Sequence, residues 1–162
     1  MNRTAQTALA LIGIVLTLLT ACSKRDKERD RVLMMDSDPE MLAAISKAQA
    51  TFPQFWQVFE KRARGETNFL LFVKITDKGR IEHFSVTDFE FRDSKTMVTI
   101  SNAPKIVTNV KLGDRIEIPA TNITDWSYMR DGKYVGLFTL KARFKWLPAD
   151  QVEQIKRTSA DP

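Results

Sequence analysis

The stretch Trp126–Trp146, WSYMRDGKYVGLFTLKARFKW, decides how this chain reads. Asp131-Gly132 is the kind of pair that closes a two-residue hairpin, because both residues tolerate the positive φ such turns demand. Trp126 and Tyr128 precede it; after it Phe138, Leu140, Ala142, Phe144 and Trp146 alternate with Thr139, Lys141, Arg143 and Lys145. A period of two sends successive side chains to opposite faces of a sheet. The pattern predicts a strand from Tyr134 to Trp146 with one apolar face and one basic face of Lys141, Arg143 and Lys145. That basic stripe reads first as a solvated sheet face and second as a surface for anionic partners.

Working upstream, Phe69–Val73 is apolar without alternation, as expected of a central strand covered on both sides. Asp77-Lys78-Gly79 turns the chain into a strand from Ile81 to Phe91. Along it the large apolar residues shift from Phe84 and Val86 to Phe89 and Phe91, which predicts a bulge at Thr87 and Asp88. Met97–Ile100 and Arg115–Ile118 supply further strands. Asp38 as N-cap, Pro39 in first helical position, and Met41, Leu42, Ile45 and Ala48 at helical spacing predict a helix from Pro39 to about Ala50. Thr51 and Pro53 then open a shorter second helix, whose Phe55, Trp56 and Phe59 form an aromatic core face. Val152 and Ile155 suit a short helix in the tail after Pro148. The expected class is α+β, with N-terminal helices packed on an antiparallel sheet and a barrel-like closure as one form it could take.

The N-terminus carries a different message. Arg3, an apolar run from Ala8 to Leu19 and small residues before Cys22 have the three-part layout of a secretory signal. The run is shorter than the roughly 20 residues needed to span a bilayer. Leu19-Thr20-Ala21-Cys22 resembles the lipobox of bacterial lipoproteins, which implies cleavage after Ala21 and lipidation of Cys22, the single cysteine of the chain. The expected partition is a signal peptide over 1–21, a lipid-anchored charged tether over 22–31 and one domain over 32–162. Each buried acyl methylene adds about 0.8 kcal/mol of membrane affinity, so several chains would hold the protein almost permanently. Lipoprotein sorting of the enterobacterial type retains an Asp at the next position on the inner membrane; Ser23 stands there, pointing to the outer membrane and its periplasmic side.

The formal charge of +5 shrinks once the leader, with Arg3 and no acid, and the tether, with five basic and three acidic residues, are set aside; +2 remains for the body. Compartment and weak charge together disfavour nucleic acid. The chain has one histidine, His83, and with Cys22 lipidated no thiol remains, so neither a metal site nor a bound cofactor is expected. No Asp-x-Asp-x-Asp-Gly run and no glycine-rich phosphate loop is present.

His83, Ser85 and Thr87 share one face of their predicted strand, near Asp88. Positions two apart on a strand stand about 7 Å apart, too far for a nucleophile and its base. No Gly-x-Ser-x-Gly elbow occurs either. Glu82, Asp88, Asp125 and Asp131 supply carboxylates in number, but turns and caps account for Asp125 and Asp131. A catalytic set is not expected.

Several segments together carry a likeness: Asp38-Pro39-Glu40-Met41, Glu82-His83-Phe84 with Asp88, Asp125 through Lys133, Gly136, and Thr139-Leu140. They resemble the YegJ-like bacterial family, a domain of unknown function, over about Asp38 to Phe144. Leu137 departs from it, standing where a small residue is expected. The resemblance implies no catalytic residues; a more distant likeness to small immunity-type domains points to a binding module. The expected function is that of a lipid-anchored periplasmic module for an envelope protein or a toxin. Its candidate surface is Glu82, His83, Asp88, Trp126, Tyr128 and Asp131, with Trp126 and Tyr128 partly core. The alternative is a periplasmic hydrolase that uses carboxylates with His83.

Overall fold

In the computed structural model, residues 37–92 and 95–160 are described. The predicted signal peptide, Cys22 and the tether lie outside them. Helix α1 spans Pro39–Lys61 and begins as its sequence demands: Asp38 Oδ1 accepts the N–H groups of Glu40 and Met41 at 3.0 and 3.1 Å, and Pro39 needs no donor there. It ends at Arg62, whose left-handed φ of 42° lets its N–H return to the Val58 carbonyl.

The break expected at Pro53 does not occur; α1 runs through it as one helix. A proline inside a helix removes a donor and crowds the carbonyl four residues back, at a cost near 3 kcal/mol. Burial on both sides of Pro53 holds the helix together. Phe52 and Phe55 lie in the core, and Phe55 has the rings of Phe59, Phe69, Phe89, Trp126 and Tyr128 within 6.3 Å. The Ala48 carbonyl, in the turn before Pro53, receives the Trp126 indole N–H at 3.0 Å, which ties helix to sheet.

Among the described residues seven strands form two antiparallel sheets. Strands β1 (Glu66–Asp77), β2 (Arg80–Val86), β6 (Ile123–Arg130) and β7 (Lys133–Gly136) make the larger, in the order β2-β1-β6-β7. Strands β3 (Phe89–Arg92), β4 (Lys95–Thr99) and β5 (Arg115–Ile118) make the smaller, in the order β3-β4-β5. Neither sheet closes, so the fold is α+β with two open sheets rather than a barrel. β1 is an interior strand as expected, although Leu70 and Phe72 on its second face are only half-buried.

The apolar shift after Val86 marks a change of sheet, not a bulge. β2 ends at Val86 and β3 begins at Phe89 in the other sheet, with α1 over both: Phe55 meets Trp126 on one and Phe89 on the other. Asp88 fixes the crossing, since Thr99 donates its hydroxyl to Oδ2 at 2.6 Å and its N–H to the Asp88 carbonyl at 3.0 Å.

The largest correction concerns Tyr134–Trp146. The Asp131-Gly132 hairpin is present, with φ of 50° and 78°, but β7 stops at Gly136. Leu137 then adopts a left-handed φ of 55°, and Phe138–Ala142 form a short helix, α2, followed by a 3-10 turn over Phe144–Trp146. Alternation alone misread this segment because its helix is capped from a distance: the Asp125 carboxylate on β6 accepts the N–H groups of Phe138 and Thr139 and the Thr139 hydroxyl. Lys141, Arg143 and Lys145 therefore form no sheet stripe. Helix α3 (Ala149–Thr158) is the last described helix, after which Ala160 donates to the Tyr134 carbonyl beside β7.

Candidate functional site

The expected six-residue surface does not assemble. Trp126 and Tyr128 are buried in the aromatic core, and Asp131 forms the exposed β6–β7 turn. Asp88 is at the crossing between sheets. Glu82 and His83 are neighbours in sequence but lie on opposite faces of β2, one buried and one exposed, so no carboxylate–imidazole pair forms between them.

What Glu82 does instead defines the most elaborate polar construction in the described residues. Its carboxylate accepts three successive backbone N–H groups: Lys105 at 2.9 Å to Oε1 and 3.1 Å to Oε2, Ile106 at 2.8 Å and Val107 at 3.0 Å to Oε2. Asp77 continues the series, its Oδ2 accepting the Thr108 N–H at 2.8 Å, the Thr108 hydroxyl at 2.7 Å and Arg80 Nη2 at 3.2 Å. Asn109 Nδ2 then donates to the Thr76 carbonyl at 3.1 Å. Five consecutive residues of the loop between β4 and β5 are thus bound by polar groups of the β1–β2 hairpin.

The loop owes its path to these bonds. A segment over residues 100–114 without strand or helix leaves many backbone donors to satisfy, and buried ones need partners. Val107 and Val110 sink into the core, and the two carboxylates take the donors beside them. The Thr108 hydroxyl and N–H, followed by Lys78 and Arg80, hold the Asp77 carboxyl below its ordinary value of 3.8, against the opposing effect of burial.

The far end of the loop turns outward. Lys111–Asp114 close a turn in which Asp114 donates to the Lys111 carbonyl at 3.1 Å while its carboxylate takes the Lys111 N–H at 2.8 Å. Gly113 occupies the third position with φ of 87°, the angle a type II turn requires there. Leu112 at the tip is 61% exposed, the most open of the large apolar side chains described. A rigid mount carrying an exposed apolar tip can bind a protein surface; nothing in it activates a nucleophile.

Sequence reading passed over this loop, yet a signal existed. Asp77 continues the buried register of Leu71, Val73 and Ile75, and Glu82 precedes Phe84 and Val86 in phase. An acid in the apolar register of a strand must find donors inside the protein.

Asp125 is the third internal carboxylate. Burial pushes its carboxyl above 3.8, opposed by hydrogen bonds from Thr139, Trp126 and Phe138. It is committed to capping α2. Among the described residues no three His, Cys, Asp or Glu side chains gather as a metal site, and no helix is long and apolar enough to cross a membrane.

The family described as an uncharacterized protein conserved in bacteria (DUF2314) matches residues 38–159. The chain is 33% identical over 116 residues to the uncharacterized protein YegJ of Escherichia coli, covering 72% of this chain and 74% of that one. It is also 29% identical over 114 residues to a putative ankyrin repeat protein of Neisseria meningitidis serogroup B, covering 65% of this chain and 45% of that protein. No solved structure matches.

Proposed function

The chain belongs to this uncharacterised bacterial family, and we propose that it works as a non-catalytic binding module, anchored through lipid on Cys22 to the periplasmic side of the outer membrane. Its recognition element is the loop over residues 100–114, and its partner is an envelope protein or an incoming toxin. The observation that carries this reading is the mounting of the loop, in which Glu82 and Asp77 hold four consecutive N–H groups and leave Leu112 projecting. Ordering the loop before it meets a partner lowers the entropy cost of binding. The hydrolase alternative finds less support, because the Glu82 carboxylate is occupied by backbone donors and faces away from His83.

Photo-crosslinking in intact cells tests the proposal. A photo-reactive residue at position 112 is expected to give a discrete protein adduct that the same residue at exposed position 133 does not. No adduct from 112, or the same adducts from both positions, overturns it. The anchor has a separate test: fatty-acid labelling should be lost in Cys22→Ala, and unchanged labelling defeats the lipobox.

A further inference from the structure

Besides Leu112, two large apolar side chains stand open among the described residues: Leu42, 51% exposed, and Trp146, 48% exposed. Both border one ionic cluster. Lys145 Nζ lies 2.7 Å from Asp38 Oδ2, 3.3 Å from Glu40 Oε2 and 4.6 Å from the Trp146 ring centroid. Leu42 is one helical turn beyond Asp38, to whose carbonyl its N–H donates at 2.9 Å. Residues four apart on a helix are surface neighbours. The first turn of α1 and the 3-10 turn at Phe144–Trp146 thus present a tryptophan and a leucine around a neutralised lysine.

We propose that this patch is the face with which the body rests on the phospholipid surface that holds the lipid on Cys22. The proposal rests on the lipid-anchored reading above and deepens it by orienting the domain. Its first support is where the chain enters. Residues 23–36 separate Cys22 from the described body, fourteen positions, a length that spans at most about 50 Å. The chain joins the body at Asp38, within the patch itself.

The second support is chemistry. Tryptophan concentrates at membrane interfaces, where its ring takes the apolar side and its N–H the wet side. Lysine near such a ring lays its methylenes along apolar surface and keeps its ammonium in water. With Asp38 and Glu40 both beside Lys145, one base faces two acids and the cluster carries no net positive charge. The contact therefore draws on Trp146 and Leu42 rather than on anionic headgroups.

The test uses the whole lipidated chain reconstituted into vesicles whose phospholipids are brominated on the acyl chains, which quench tryptophan on contact. Of the other two tryptophans, Trp126 is buried and Trp56 is partly buried against Phe59 and Phe91, so the difference between wild type and Trp146→Phe isolates Trp146. Quenching is expected in the wild type and should fall at least twofold in Trp146→Phe, with Leu42→Gln reducing it as well. It should be the same in phosphatidylcholine vesicles with or without phosphatidylglycerol. Equal quenching of wild type and Trp146→Phe overturns the proposal. So does a photo-reactive residue at position 146 that yields, in cells, an adduct with a second copy or another protein in place of lipid. Protein that carries fatty acid on Cys22 but lacks Trp146-dependent quenching keeps the anchor and loses this face. Protein that takes up no fatty acid loses both.

Discussion

Glu82 Oε2 accepts the backbone N–H of Ile106 at 2.8 Å, joining β2 to a loop residue 24 positions away. The same oxygen takes Val107 and shares Lys105. Removing the carboxylate leaves three amides to find water, and for the Val107 amide that means pulling a core residue out. Glu82→Ala is expected to lower stability by about 1–3 kcal/mol, the usual cost of stranding buried donors. Hydrogen exchange at 105–107 should rise together as the loop lifts. Glu82→Gln should fall between, because its amide oxygen can occupy the Oε2 position while its NH2 meets only Lys105. Urea denaturation and amide exchange measure both.

Asp77 supplies a pH dependence whose direction follows from its depressed carboxyl value. A group held lower in the folded state contributes stability that is present above the unfolded value and lost as pH falls through the folded one. The attachment of Thr108 should therefore hold at neutral pH and weaken progressively below about pH 3.8. Asp77→Asn can turn its oxygen to the Oδ2 position, where Thr108 and Arg80 donate. It should fold with a smaller loss of stability than Glu82→Ala, since its carbonyl oxygen keeps the acceptor role. Thermal denaturation across pH 2–5 should show a shallower slope for the variant than for wild type.

Residues with local causes could be read from the sequence. Asp38 and Pro39 start α1 because capping is a matter of neighbours, and the Asp131-Gly132 turn is specified by the two residues that form it. The aromatic face of Phe55 and Phe59 was legible from helical spacing. Residues with distant causes were misread. Pro53 is tolerated because Phe89 and Trp126 hold the helix from other elements. Phe138–Ala142 is a helix because Asp125, on another strand, caps it. Glu82 was singled out for the wrong reason, as a surface acid when its register placed it inside. Trp146, expected on a buried sheet face, is open to solvent.

Gly136 and Gly113 both have φ near 90° yet should respond unequally to alanine. At Gly136 a Cβ would overlap the Trp126 carbonyl oxygen and come within 2.8 Å of ring atom Cε3. Backbone strain of about 1–3 kcal/mol then adds to overpacking of similar size against a core residue that cannot retreat. At Gly113 a Cβ meets nothing within 4 Å, so only the conformational term remains. Gly136→Ala should cost at least twice as much as Gly113→Ala, read as the shift in urea midpoint at constant slope.

Asp125→Asn tests the remote cap. Oδ1 accepts Trp126 and Phe138 N–H groups at 2.8 and 3.2 Å, while Oδ2 accepts the Thr139 N–H at 2.7 Å and its hydroxyl at 2.6 Å. Both oxygens face backbone donors, so neither orientation of an asparagine amide avoids setting N–H against N–H. The expected loss is about 1–3 kcal/mol, with amide exchange rising first at Phe138 and Thr139 as α2 frays. Because burial raises the Asp125 carboxyl, its contribution is fully present below 3.8 and diminishes as pH climbs through the raised value. The margin of wild type over Asp125→Asn should therefore be widest in acid and narrow toward neutrality, opposite in sign to the Asp77 effect. A margin that widens as pH rises would show that the four hydrogen bonds outweigh the burial of the charge.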